Sequence, residues 1–187
     1  MIPLFQLASD LQGLFERNRW RFSFIGGIAL QRWGEPRLTV DVDVALLTGF
    51  GTEEPFIDEL MKHYEGRRED TKEFALERRV LLLRSSGDID IDIVLAALPF
   101  EENVVDHSTH YEFMPGLKLL TCSAEDLIVM KTFADRGQDW VDVEGVIVRQ
   151  QGNLDWAYIF EELSPLCELK ESPEIIKKLV SIRSKLT

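Results

Sequence analysis

Leu4, Leu7, Leu11, Leu14 and Phe15 recur at helical spacing, so the chain opens with an amphipathic helix predicted over residues 3 to about 17. A short strand follows at Arg21 to Ile25 and stops at Gly26-Gly27. The next six residues, IALQRW, leave room for two helical turns before Gly34 and Pro36 end them. From Leu38 to Leu47 the rhythm changes to period two. Leu38, Val40, Val42, Val44 and Leu46 alternate with Thr39, Asp41, Asp43 and Ala45, the mark of a strand. Phe56, Leu60 and Tyr64 predict a helix over about 53–65, followed by a charged turn at 65–70. Arg79 to Arg84 and Asp88 to Leu95 read as strands joined by a turn at Ser86-Gly87, close enough to form a hairpin. Residues 99–116 read as a polar connection, with a brief strand at 117–121. Ser123 followed by Asp126 predicts a capped helix to about Asp135. Gly137 interrupts it, and helices follow at about 138–150, 154–163 and 173–186. Strands crowd the first two thirds and helices the last, which gives an α/β (α+β) class with a helical C-terminal part. A length of 187 residues supports one full-sized domain. The expected organisation is a sheet core at 1–122 and a helical part at 123–187 packed on it as one compact unit.

The polar positions of two strands carry the most pointed chemistry. On a strand, Asp41 and Asp43 face the same way, about 6.5–7 Å apart along the chain. They form either a solvated strand face or a pair of oxygen ligands suited to Mg²⁺ or Mn²⁺, whose shell is completed by water and substrate phosphates. Asp88, Asp90 and Asp92 also share one face, with Ile89, Ile91 and Ile93 on the other. If that strand lies beside 38–47, one of the three completes a carboxylate trio; the competing reading is a hydrated hairpin edge. Asp92, deepest in the apolar run, is the first choice and Asp90 the second. Gly26-Gly27, between a strand and a short helix, is either a simple turn or a turn whose amides face phosphate oxygens. Lys131 falls on the apolar side of its helix, where it either snorkels outward or points into a cleft. Asp139 either caps the next helix or pairs with Lys131 or Arg136.

Composition narrows the partners. Hydrophobic residues make up 45% of the chain and charged residues 29%, a globular balance. With 21 Lys and Arg against 33 Asp and Glu, the formal charge is −12. So acidic a chain does not coat DNA constitutively, because it repels a polyanion on average. Cys122 and Cys167 have no CxxC spacing, which favours a reducing compartment. No apolar run reaches the length of a membrane span, and the N-terminal segment lacks a basic, cleavable leader pattern. A cytoplasmic location without membrane partners is expected.

FIGGIALQRWGEPRLTVDVDVAL (24–46) resembles the polymerase-β-like nucleotidyltransferase superfamily, in the form found in AbiEii/AbiGii-type nucleotidyltransferases of abortive-infection and toxin–antitoxin systems. SAEDLIVMKTFADRGQDWVDV (123–143) is similar to that family's second signature, a helical lysine followed by an arginine and D-x-x-D. The resemblance implies a mixed central sheet flanked by helices and a reaction that moves a nucleoside monophosphate from an NTP to an acceptor hydroxyl, releasing pyrophosphate. It assigns Gly26 and Gly27 to the nucleotide phosphates, and Asp41, Asp43 and Asp92 to Mg²⁺ (or Mn²⁺) and catalysis. Lys131 is assigned to a phosphate contact, Asp139 to the late acidic position, and Arg37 and Thr39 to support of the metal strand, with Thr39 near the nucleotide. Asp90 competes with Asp92 for the third carboxylate. Many superfamily members have Gly-Ser where this chain has Gly26-Gly27, so no serine hydroxyl is available there. The acceptor is left open between RNA, protein and a small molecule, with an antitoxin or other partner protein implied. Rival readings are a catalytically inactive nucleotide-binding sensor or antitoxin-like partner of the same fold, and a DxD glycosyltransferase.

Overall fold

The computed structural model describes residues 2–186, which divide into two compact units: residues 2–28 with 38–122, and residues 29–37 with 123–186. The first unit is built on a seven-stranded sheet in the order β3-β4-β5-β2-β1-β7-β6. Its strands are β1 (Phe22–Phe24), β2 (Asp41–Leu47), β3 (Glu65–Gly66), β4 (Val80–Arg84), β5 (Asp90–Ala96), β6 (Thr109–Met114) and β7 (Leu117–Thr121). The β2–β5 and β1–β7 pairs are parallel and the rest antiparallel, so the sheet is mixed.

Helix α1 (Ile2–Arg17) follows the predicted stripe and buries Leu4, Leu7, Leu11, Leu14 and Phe15. These residues join Val42, Val44, Leu46, Ile91, Ile93 and Leu95 in one apolar core. On β2 and β5 the sequence alternation therefore becomes a physical one, with Val and Ile inward and the aspartates on the opposite face.

Four local expectations change. The strand predicted from Leu38 begins at Asp41, because Thr39 is buried while Leu38 and Val40 are 71% and 67% exposed. The helix predicted over 53–65 is α3 (Glu54–Leu60), and Glu65–Gly66 goes into β3. The stretch after the charged turn forms α4 (Thr71–Arg78). The polar connection at 99–116 holds α5 (Pro99–Asp106) and edge strand β6.

The second unit collects α6 (Ala124–Ala134), α7 (Gly137–Gln150), α8 (Trp156–Leu169) and α9 (Glu174–Leu186). Ser123 caps α6 by accepting from the Asp126 amide and donates its own hydroxyl proton to the Asp126 carboxylate. The last turns of α2 (Gly26–Trp33) and the segment to Arg37 belong to this unit. There Gln150 donates to the Trp33 carbonyl and Arg149 to that of Gly34. Among the described residues no helix is long and apolar enough to cross a membrane, and both cysteines are buried free thiols.

Candidate active site

Parallel pairing puts Asp41 opposite Asp90 and Asp43 opposite Asp92. Four half-buried carboxylates thus share one face of β2 and β5, about 4.8 Å apart across the strands and about 6.6 Å along them. The aspartate runs seen in the sequence are brought together by strand register. Asp88 lies in the turn before β5 with a left-handed backbone (φ +58°) and pairs with Arg84, outside this square.

The square meets the start of α2 from below. The Gly27 amide donates to Asp43 Oδ2 at 3.3 Å. Gly26 has φ +53°, and a Cβ there would lie 1.9 Å from the same oxygen, so both conformation and space demand glycine. A Cβ on Gly27 would lie 2.5 Å from Thr39 Oγ1. That hydroxyl is buried and makes no hydrogen bond. A buried hydroxyl without a partner is costly in a finished interior and marks a place where a polar ligand atom fits.

The two strands differ in their cation partners. On the β5 side, Asp90 Oδ1 accepts from Arg84 Nε at 2.8 Å and its Oδ2 from Arg67 at 2.6 Å. Arg67 extends its other terminal nitrogen to Asp92 Oδ1. The Arg84 bond, aided by Arg67, holds the Asp90 carboxyl below the ordinary aspartate range. Burial pushes the Asp92 carboxyl up against the pull of Arg67, and the Asp41 and Asp90 charges push the same way. On the β2 side, Asp41 has no ion pair among the described residues. No group of three or more His, Cys, Asp and Glu converges tightly enough among the described residues to form a ready metal cage. The donor chemistry suits a hard cation held by two carboxylates whose remaining ligands come from water and phosphate.

In the helical unit, Lys131 is 7% exposed and its Nζ donates to Asp139 at 3.1 Å and to Asp142 at 2.7 Å. Arg136 reaches Asp139 with Nε at 2.5 Å, and Arg37 grips Asp142 with two parallel bonds of 3.0 Å. Burial raises both aspartates, but the hydrogen bonds from Arg136 and Lys131 to Asp139, and from Arg37 and Lys131 to Asp142, outweigh it and leave both below their ordinary values. Asp139 makes no side-chain cap on α7; it serves the ion pairs instead.

A family model described as the nucleotidyl transferase AbiEii toxin of type IV toxin–antitoxin systems matches residues 11–158. The chain belongs to this family. It is a nucleotidyltransferase, and solved structures share its fold at low identity. An antigenic nucleotidyltransferase-like protein from Paracoccidioides brasiliensis aligns with TM-score 0.55 and 16% identity, over 97% of this chain and 92% of that one. The lincosamide antibiotic adenylyltransferase LnuA, in a lincomycin-bound structure, aligns with TM-score 0.51 and 13% identity, over 73% of this chain and 91% of that one. The antibiotic-resistance factor ANT(2'')-Ia aligns in its solution structure with TM-score 0.52 and 16% identity, over 91% and 90%. No curated protein matches in sequence.

Two residues of this nucleotidyltransferase escape a reading of motifs. Arg67 carries no strand or helix signature, and its partners lie 23 and 25 residues away. In sequence it stands among Arg68, Arg78, Arg79 and Arg84 as a basic cluster that reads either as an RNA-facing patch or as a solvated edge. Its members are ion-paired instead: Arg68 with Asp70, Arg78 with Glu77, Arg79 with Glu53, and Arg67 and Arg84 both with Asp90. Asp142 was visible only as the last residue of the D-x-x-D, and it turns out to be the carboxylate shared by Lys131 and Arg37.

Proposed function

We propose that this nucleotidyltransferase moves a nucleoside monophosphate from an NTP to an acceptor hydroxyl, with pyrophosphate as the leaving group and a divalent cation held by Asp41 and Asp43. The observation that carries this reading is the register of β2 on β5, which sets those carboxylates beside Asp92 and against the Gly26-Gly27 turn. Mg²⁺ or Mn²⁺ bound there supplies electrostatic stabilisation to the phosphates as charge shifts to the leaving group.

The chain's own residues supply the rest. Gly26 and Gly27 let Asp43 sit against the helix start, and the unpaired Thr39 hydroxyl offers a donor to a phosphate oxygen. Asp90 has both oxygens tied to arginines, which leaves Asp92 as the carboxylate to accept the acceptor's proton. Its raised pKa fits that role, because a base closer to neutrality takes a proton more readily in the transition state. Lys131, with Asp139, Asp142 and Arg37, is proposed to fix the segment that leads into β2, and a phosphate contact by Lys131 is tested by its effect on NTP affinity. Membership in a toxin–antitoxin family supports an antitoxin as the protein partner. The free, buried cysteines fit a cytoplasmic enzyme, and its acceptor is an RNA, a protein or a small molecule met locally.

The test is incubation with labelled NTPs, Mg²⁺ or Mn²⁺, and separate RNA, protein and small-molecule fractions. Label transfer by the wild type that is lost in Asp41→Ala and Asp43→Ala supports the reading. Nucleotide binding without a labelled product under any of these conditions replaces it with a nucleotide-binding sensor.

A further inference from the structure

Arg67 is held far more firmly than an ordinary surface arginine. Its amide donates to the Leu82 carbonyl at 3.1 Å, which ties the residue to β4 directly after β3. On its other flank, Gly66 has no room for a side chain, since a Cβ would lie 2.4 Å from Thr71 Oγ1. The space is taken by that hydroxyl, which accepts from the Arg68 amide at 3.1 Å and donates to the Arg68 carbonyl at 2.6 Å. The turn is thereby clamped on both sides of Arg67. The side chain is 19% exposed, its Nε is buried without a hydrogen-bond partner, and its two terminal nitrogens go one each to Asp90 and Asp92. This planar fork is aimed at two carboxylates on the acidic face and at nothing else that would explain its burial.

A second divalent cation about 3.5–4 Å from a first would lie against Asp92, whose Oδ1 is held by Arg67. A guanidinium and a divalent cation repel one another at such range, so the fixed charge of Arg67 works against a second ion at Asp92. We infer that Arg67 stands in for one of the two metal ions at this site: the protein binds a single divalent cation through Asp41 and Asp43, and Arg67 supplies the fixed positive charge at Asp90 and Asp92. The inference rests on the metal site proposed above. It adds that Asp92 is kept from metal ligation and left for the acceptor side, and that metal stoichiometry is set by one residue of the β3–α4 turn.

The experiment is Mn²⁺ titration of the full chain without nucleotide, followed by electron paramagnetic resonance and calorimetry. Wild type is expected to bind one Mn²⁺. Arg67→Gln is expected to bind a second, or to hold the first at least tenfold more tightly. Arg84→Gln, which leaves the Arg67–Asp92 pair in place, should still bind one. The near-isosteric Asp92→Asn reads the same question without touching the arginine: it should still bind one Mn²⁺, because Asp41 and Asp43 are intact. A wild type that binds two ions or none, an Arg67→Gln protein indistinguishable from it, or an Asp92→Asn protein that binds no Mn²⁺ overturns the inference. Failure of the transferase reading shows separately, as one bound Mn²⁺ with no nucleotidyl transfer.

Discussion

Two carboxylate clusters of this chain contrast sharply in how they are neutralised. In the helical unit, Asp139 and Asp142 are nearly inaccessible and share Lys131, Arg136 and Arg37 between them. Cations outnumber carboxylates there, and every partner comes from the chain itself. On the sheet, Asp90 and Asp92 are served by Arg67 and Arg84, while Asp41 has no ion pair among the described residues. Acidic residues alone do not mark a site; the difference lies in whether the fold completes their coordination or stops short of it. The first cluster is finished in the folded chain, and the second is the one that the proposed cation would finish.

The sharpest break in this contrast comes from Asp41→Ala or Asp43→Ala. Each should lower nucleotidyl transfer by about 10³-fold, read by label transfer, because charge stabilisation at the reacting phosphate is lost. The same variants should unfold in urea within about 0.5 kcal/mol of wild type, since partly exposed carboxylates contribute little to stability. The helical cluster should behave the opposite way. Lys131→Met leaves two buried carboxylates short of a cation, and about 3 kcal/mol of stability should be lost, at the low end for a broken buried pair because Arg37 and Arg136 remain. A phosphate contact by Lys131 would show in addition as weaker NTP binding by the folded variant.

Acid provides a finer comparison. Asp139 and Asp142 have folded-state pKa values below the ordinary ones. Their contribution to stability is therefore fully present above the ordinary carboxylate range, near pH 4, and is lost as the pH falls through their lower folded values. Thermal midpoints followed by tryptophan fluorescence should drop through that window, and Asp142→Asn should flatten the drop. The smallest expected effect is that of Thr39→Val. Removing a buried hydroxyl with no partner should leave stability unchanged or raise it by up to about 1 kcal/mol, while NTP affinity falls by about fivefold if that hydroxyl serves a phosphate.

Much of this was legible in the sequence wherever one residue type repeated with one period. The α1 stripe, the β2 and β5 alternation and the Ser123 cap all appear where the local pattern places them. The pattern failed where the faces did not follow residue type. Leu38 and Val40 look inward by alternation yet are exposed, because Thr39 is the buried residue. Helix α4 buries only Thr71 and Ala75, and β6 runs along the sheet edge mostly exposed, so neither writes an apolar rhythm. The choice between Asp90 and Asp92, and the part played by Arg67, depend on strand register and a turn conformation, both of which are tertiary facts. Asp139 was open between cap and ion pair for the same reason: its partners are set by how α6 meets α7.

The excursion of residues 29–37 into the helical unit bears on how the chain is made. Arg37 grips Asp142, 105 residues later, and the carbonyls of Trp33 and Gly34 are met by Gln150 and Arg149, 117 and 115 residues later. During synthesis, the strands up to Thr121 can pair as they emerge, but residues 29–37 must wait unpaired until α7 has left the ribosome. The helical unit is consequently not encoded by one continuous stretch. A fragment of residues 123–187 lacks a piece of its own interior, and a fragment ending at Cys122 carries that piece with nothing to receive it.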